Sequence, residues 1–155
     1  IDKIEFPSLE ILVLEDLPNF MSFCLGNCTF EWASLRVLSI NNCPQLKSFP
    51  SRSQSTHAES VETLCETDID APLQHLFDEK VSFPSLKELT LSSVNLNDIC
   101  YGLPSLSLCQ LRILEVENCD KLLSVVTSNM LQRLHALEDL TVRCCGSLVK
   151  VFDLE

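Results

Sequence analysis

Five copies of one short apolar pattern, repeated at a fixed interval, constrain this chain more than any other feature of its sequence. Each copy has two leucines three residues apart and a third aliphatic residue two positions later. The copies are Leu9-Leu12-Leu14, Leu35-Leu38-Ile40, Leu86-Leu89-Leu91, Leu111-Leu114-Val116 and Leu137-Leu140-Val142. Their first leucines are 26, 51, 25 and 26 residues apart, and 51 corresponds to two periods. Because leucine fills 28 of 155 positions, the common phase is stronger evidence than the pattern itself.

The agreement extends beyond the leucines. Three residues before each first leucine there is a large apolar residue, and three residues after the last aliphatic there is an apolar residue or a cysteine. The first set is Phe6, Trp32, Phe83, Leu108 and Leu134, and the second is Leu17, Cys43, Val94, Cys119 and Cys145. Alternation at period two predicts a short strand with one buried face. Each repeat therefore forms one coil of the chain with a ring of inward-pointing apolar residues. A single coil cannot bury that ring, so successive coils must stack.

The period lies in the range of leucine-rich repeats. We therefore predict the α/β fold class, as a leucine-rich-repeat solenoid with a curved parallel sheet on the concave side and a mostly irregular convex side. One short convex helix is expected between repeats four and five, capped by Thr127 or Ser128 and reaching Leu134.

The chain is predicted to be a single leucine-rich-repeat domain fragment, residues 1–155, with five recognisable repeats. Its start has neither an initiator methionine nor a signal-peptide pattern, so we expect it to come from a longer protein. Residues 50–80 occupy one period without its pattern and carry seven acidic residues between Glu59 and Glu79. An acidic excursion loop is favoured there, although a degenerate coil containing Val61 and Leu64 stays open.

The net charge of the chain limits the kinds of partner that it can bind, and its cysteine content indicates the compartment in which it resides. The chain has 22 acidic and 11 basic residues and a net charge of -11, which disfavours nucleic acid and anionic lipid and favours a protein partner. Nine cysteines, an odd number, form no small disulfide framework. With no apolar run long enough for a membrane span, this content predicts a cytoplasmic location.

No pattern of catalytic, metal-binding or cofactor-binding residues is found in the sequence. Cys43, Cys119 and Cys145 share one repeat position, which leucine-rich repeats fill with Asn or Cys for structural reasons. Cys24 and Cys28 lack a second spaced Cys/His pair, and a phosphate-cradling glycine motif is missing. His57, His75 and His135 have no phased nucleophile or carboxylate beside them. We predict no enzyme activity and no cofactor in this segment.

The remaining candidate for function is the strand face that points away from the leucines. Exposed aliphatic residues on such a face favour a binding surface, while an ordinary solvated face is the alternative. The predicted concave binding face consists of Ile11, Val13, Glu15, Val37, Ser39, Asn41, Glu88, Thr90, Ser92, Ile113, Glu115, Glu117, Asp139, Thr141 and Arg143.

Several phrases resemble the carboxyl-terminal repeats of plant intracellular coiled-coil nucleotide-binding leucine-rich-repeat (NLR) disease-resistance proteins. They are Phe6-Pro7-Ser8-Leu9, Phe83-Pro84-Ser85-Leu86, Cys43-Pro44-Gln45-Leu46 and Cys145-Gly146-Ser147-Leu148. The resemblance implies a module for plant defence that senses a pathogen effector or a guarded host protein. It also implies intramolecular contact with upstream domains, where an ATP/ADP switch would be restrained.

The alternative function is substrate recognition in an F-box ubiquitin-ligase adaptor, whose repeats also place cysteine at the turn. That family usually continues with a Thr-Asp step, whereas Pro44-Gln45, Asp120-Lys121 and Gly146-Ser147 follow the cysteines here. An extracellular receptor is less favoured, since the chain lacks Gly-x-Ile-Pro steps and paired capping cysteines.

Overall fold

The computed structural model of the protein describes residues 2–22, 28–46, 75–77, 83–100 and 108–154. Its main feature is a five-stranded parallel sheet with the order β10-β8-β6-β4-β2. The strands, in chain order, are β1 (Asp2–Glu5), β2 (Ile11–Glu15), β3 (Cys28–Glu31), β4 (Val37–Asn41), β5 (His75–Phe77), β6 (Glu88–Ser92), β7 (Asp98–Cys100), β8 (Ile113–Glu117), β9 (Val126–Thr127), β10 (Asp139–Arg143) and β11 (Phe152–Asp153). Each of the five pattern copies provides one strand of the main sheet, as predicted.

The strand register follows the repeat period, so equivalent residues lie side by side. One inward row is Leu12, Leu38, Leu89, Leu114 and Leu140, and the next is Leu14, Ile40, Leu91, Val116 and Val142. The row members from repeats two, three and four are 0% exposed. Those from repeats one and five are partly buried against the same core. The predicted apolar ladders are therefore confirmed.

The aromatic residue and the serine that precede the first leucine of a repeat connect successive coils in two ways. The rings of Phe6 and Trp32 stack with centroids 5.7 Å apart, and those of Trp32 and Phe83 with centroids 6.4 Å apart. The serine hydroxyls donate to backbone carbonyls of the preceding coil, Ser34 Oγ to Pro7 O at 2.6 Å and Ser85 Oγ to Ala33 O at 2.9 Å. The second and third copies thus each supply a buried ring and a hydrogen bond to the preceding coil.

The return side of the coils forms three short parallel pairs, β1 with β3, β5 with β7 and β9 with β11. The predicted helix is the single turn α1 (Ser128–Leu131), with Thr127 as its N-cap accepting a hydrogen bond from the Met130 amide. It ends before the predicted Leu134, because Leu134 must leave the helix to enter the inward row, where it is 8% exposed. The predicted α/β class is not confirmed, since the described residues form a β-solenoid with almost no helix.

Strands β4 and β6 are hydrogen-bonded neighbours, with Val37 paired to Glu88. A full period of extra chain lies between them in sequence. Of residues 50–80 the structure describes only strand β5, which pairs with β7 on the return side. The rest of that segment lies outside the described residues, so the acidic excursion loop stays a prediction, as does the division into a single domain.

Each strand of the main sheet is followed by a residue in the left-handed backbone region. These residues are Asp16, Asn42, Ser93, Asn118 and Cys144, with φ between 54° and 56°. Such a φ turns the chain out of the strand, and Asp and Asn tolerate it better than most residues. The amides of the first four still donate to the next coil, for example Asn118 N to Arg143 O at 3.0 Å. The turn therefore preserves the ladder of backbone hydrogen bonds.

Replacing Leu114 by alanine is expected to lower the free energy of unfolding by about 2–5 kcal/mol, because the site is closed on both sides by neighbouring coils. Glu115→Ala, one residue further on the opposite face, should stay within about 0.5 kcal/mol of the parent. Urea titration followed by circular dichroism measures both values. Equal losses would contradict the register.

Asn118→Ala should be about 1 kcal/mol less stable than Asn118→Gly, because alanine resists the positive φ and glycine does not. At Thr141, inside β10, the order of the same two substitutions should invert, since glycine weakens a strand. Thermal unfolding of the four variants tests both statements. The same order at both positions would refute the assigned backbone turn.

Candidate recognition surface

The fifteen predicted face residues lie together on one side of the main sheet, and none of them is buried. They form three rows across the five strands, which we call the exposed sheet face. The rows are Ile11, Val37, Glu88, Ile113 and Asp139, then Val13, Ser39, Thr90, Glu115 and Thr141, then Glu15, Asn41, Ser92, Glu117 and Arg143. The parallel register thus assembles side chains that are far apart in the sequence.

The aliphatic members of the exposed sheet face are concentrated on β2 and β4. Ile11 and Val13 are each 53% exposed, and the neighbouring Val37 is partly exposed. The fourth aliphatic residue, Ile113, lies on β8. Large apolar side chains left half in water cost free energy that a partner would recover by covering them.

Four of the five acidic members lie on β6, β8 and β10, and the fifth, Glu15, lies on β2. Glu88 and Asp139 are in register on either side of Ile113, and Glu115 follows two residues later on β8. Glu117 forms an ion pair with Arg143 at 3.6 Å. The exposed sheet face therefore changes from aliphatic to acidic along the stack of coils.

A fourth row borders the exposed sheet face at the amino-terminal ends of the strands. It consists of Glu10, Arg36, Lys87, Arg112 and Glu138, the residues directly after each first leucine. Sequence reasoning missed this row, although the charges at one fixed repeat position were the signal for it. The backbone carbonyls of the first four each accept from two consecutive amides of the next coil, as with Lys87 O and the amides of Arg112 and Ile113.

At each end of this border row, an ion pair joins residues of adjacent coils. Arg36 Nε donates to Glu10 Oε1 at 2.8 Å, and Arg112 binds Glu138 through Nε at 3.1 Å and Nη2 at 3.0 Å. The hydrogen bond and charge of Arg112 lower the pKa of Glu138 below its ordinary value. The pKa of Arg112 is raised by Glu138, with smaller contributions from Glu88 and Asp139. The border row is thus in electrostatic contact with the acidic part of the face.

The repeat cysteines have structural roles. The thiols of Cys43, Cys119 and Cys145 contact the backbone carbonyl two residues earlier, at 3.6, 3.5 and 3.4 Å. Cys43 and Cys119 also reach the preceding coil, at Leu14 O and Leu91 O. Burial raises the pKa of both of these thiols. A raised pKa keeps them protonated and unreactive at neutral pH.

The other candidate ligands and bases form no metal site within the part of the chain that the structure describes. Cys24 and His57 lie outside the described residues, and His135 is exposed on a turn. Across the ranges that the structure describes, no group of three or more His, Cys, Asp or Glu side chains is placed to hold a metal ion. Within the same ranges, no helix is long and apolar enough to cross a membrane.

The parallel strands, their 25- or 26-residue period and the inward leucine rows define a leucine-rich-repeat solenoid. Residues 85–155, which hold repeats three to five, match the family model of plant disease resistance protein RPS2-like leucine-rich repeats. This part of the chain is therefore similar to the leucine-rich repeats of plant disease-resistance proteins, and the resemblance drawn from the sequence is confirmed. Comparisons with curated proteins and with solved structures gave no match.

Iodoacetamide is expected to label the exposed Cys144 well before Cys43 and Cys119 in the native protein, because burial protects the latter two and raises their pKa. Peptide mass spectrometry after a short pulse gives the order. Labelling of Cys119 as fast as Cys144 would contradict the packed thiol.

The same thiols predict how stability depends on pH. In the unfolded chain they ionise at their ordinary pKa, so above that pH the unfolded state binds fewer protons than the folded state. The free energy of unfolding should fall as the pH rises past the ordinary thiol range, and Cys119→Ala should reduce this dependence. A pH-independent stability there would contradict the raised pKa.

Proposed function

We propose that this chain is the protein-protein recognition module of a plant immune receptor. In this proposal the exposed sheet face senses a pathogen effector or a guarded host protein in the cytoplasm. The module also restrains an upstream nucleotide-dependent switch through intramolecular contacts, and any ATP or ADP binds in that upstream part rather than here. Leucine-rich-repeat solenoids of this type are typically non-catalytic recognition modules.

The observation that supports this proposal most strongly is that the two sides of the main sheet have different roles. The inward rows and the backbone hold the coils together, whereas the fifteen outward side chains form a continuous surface with exposed aliphatic residues. Such a surface can contact a partner without taking part in the fold. The family match over residues 85–155 favours the immune receptor over the F-box adaptor.

Charge reversal at Glu115, Glu117 and Asp139 in the intact receptor is expected to alter recognition or restraint without lowering protein abundance. Lost recognition would weaken the cell-death response to a pathogen isolate that activates the parent receptor. Lost restraint would produce that response without any pathogen. Both responses can be scored in leaf tissue beside an immunoblot for abundance.

Asp120→Lys is the matched control, because Asp120 is an exposed acidic residue on a turn outside the exposed sheet face. It should behave as the parent receptor in both assays. If the three charge-reversed positions also leave both responses unchanged, the proposed function of this face is wrong.

A further inference from the structure

The exposed sheet face is divided into two halves of different chemistry. The half on β2 and β4 has the aliphatic residues Ile11, Val13 and Val37 and a single charged residue, Glu15. The half on β6, β8 and β10 has four carboxylates and one cation, Arg143. A partner that covers both halves must itself carry two kinds of side chain.

The acidic half has a defined centre at Ile113. The neighbouring strands place Glu88 and Asp139 in register beside it, at about the 4.8 Å spacing of paired strands. Glu115 follows on the same strand, roughly 7 Å further along. Three carboxylates therefore surround one partly exposed aliphatic side chain.

Of the cations close to this centre, Arg143 and Arg112 are bound to other carboxylates, and Lys87 directly precedes Glu88 on the border row. Arg143 pairs with Glu117 at 3.6 Å, and Arg112 donates two hydrogen bonds to Glu138 on the border row. In register, Glu115 lies between the uncharged side chains of Thr90 and Thr141. The charge around Ile113 is therefore only partly balanced within the protein.

A lysine or arginine side chain complements this centre. Its hydrocarbon stem can lie on Ile113 while its charged end reaches the surrounding carboxylates. Arginine fits best, since its planar guanidinium can bind two carboxylates at once. A neutral or acidic side chain would leave the charge of the three carboxylates only partly balanced.

We propose that the exposed sheet face binds a protein segment with two anchors. One anchor is an apolar side chain that covers Ile11, Val13 and Val37, and the other is an arginine or lysine that binds among Glu88, Glu115 and Asp139. This inference rests on the proposed recognition function and specifies the chemistry of the partner.

The strand spacing sets the distance between the anchors. Ile11 and Val13 on β2 are three strand spacings from Ile113 on β8, or about 14 Å. A partner helix spans that distance in about nine residues. Side chains nine residues apart lie on opposite sides of a helix, so the apolar and basic side chains should be about seven or eleven residues apart, which places them on one face.

A synthetic helical peptide can test this geometry on the intact protein. The peptide has an alanine-glutamine background with two leucines near one end and two arginines about eleven residues, or three full turns, away on the same face. Fluorescence anisotropy should show binding that weakens as NaCl is raised. Replacing the arginines by glutamates, or the leucines by glutamines, should each weaken binding by about tenfold or more.

Protein variants assign the two anchors to the two halves. Glu88→Gln with Glu115→Gln should remove the preference for arginine over glutamate and keep the dependence on leucine. Val13→Ser should do the reverse, and Asp120→Asn, outside the face, should change neither. Absence of binding by the parent peptide, or equal binding of all peptides, would overturn the inference.

The two proposals can fail separately. If charge reversal alters the immune responses but the peptides bind without discrimination, recognition stands and the two-anchor chemistry is wrong. If the peptides discriminate but charge reversal leaves the responses unchanged, the face binds such segments and the immune role is wrong.

Discussion

Each coil of this protein is incomplete until another coil lies against it. A single coil leaves both edges of its strand without hydrogen bonds and both sides of its apolar ring in water. The neighbouring coil satisfies both needs at once, because the same residues recur one period later and meet in register. The stacked rings of Phe6, Trp32 and Phe83, the Ser34 and Ser85 hydroxyl bonds and the thiol contacts of Cys43 and Cys119 all join one coil to the next.

This dependence on neighbours determines what the outward side chains can do. In the middle coils the inward leucines are completely buried, and the backbone carries the coil-to-coil hydrogen bonds. The outward residues are therefore not required to hold the coils together, and their chemistry can serve contact with another molecule. Their arrangement is nevertheless ordered, with three of the four aliphatic residues on β2 and β4, four of the five carboxylates on β6, β8 and β10, and a charged row along one border.

The inward rows, the parallel sheet and the members of the exposed face were predictable, because a period of 25 or 26 residues and an alternation of two residues record which side chains are buried. The left-handed residues Asp16, Asn42, Ser93, Asn118 and Cys144 were not foreseen, since their side chains differ and only the backbone is shared. The end of α1 was placed too late, because helical spacing gave no sign that Leu134 was needed in the inward row. Pairing between coils also joins Arg112 to Glu138 across 26 residues, a contact that no local pattern specifies.

The enclosure of the middle coils has a dynamic consequence. Leu38, Leu89 and Leu114 are completely buried, and each lies between two neighbouring strands of the main sheet. In a stack with nearest-neighbour contacts, a coil held on both sides must lose two interfaces before it separates. Amide hydrogens of β6 should therefore exchange with solvent only when the stack opens on both sides.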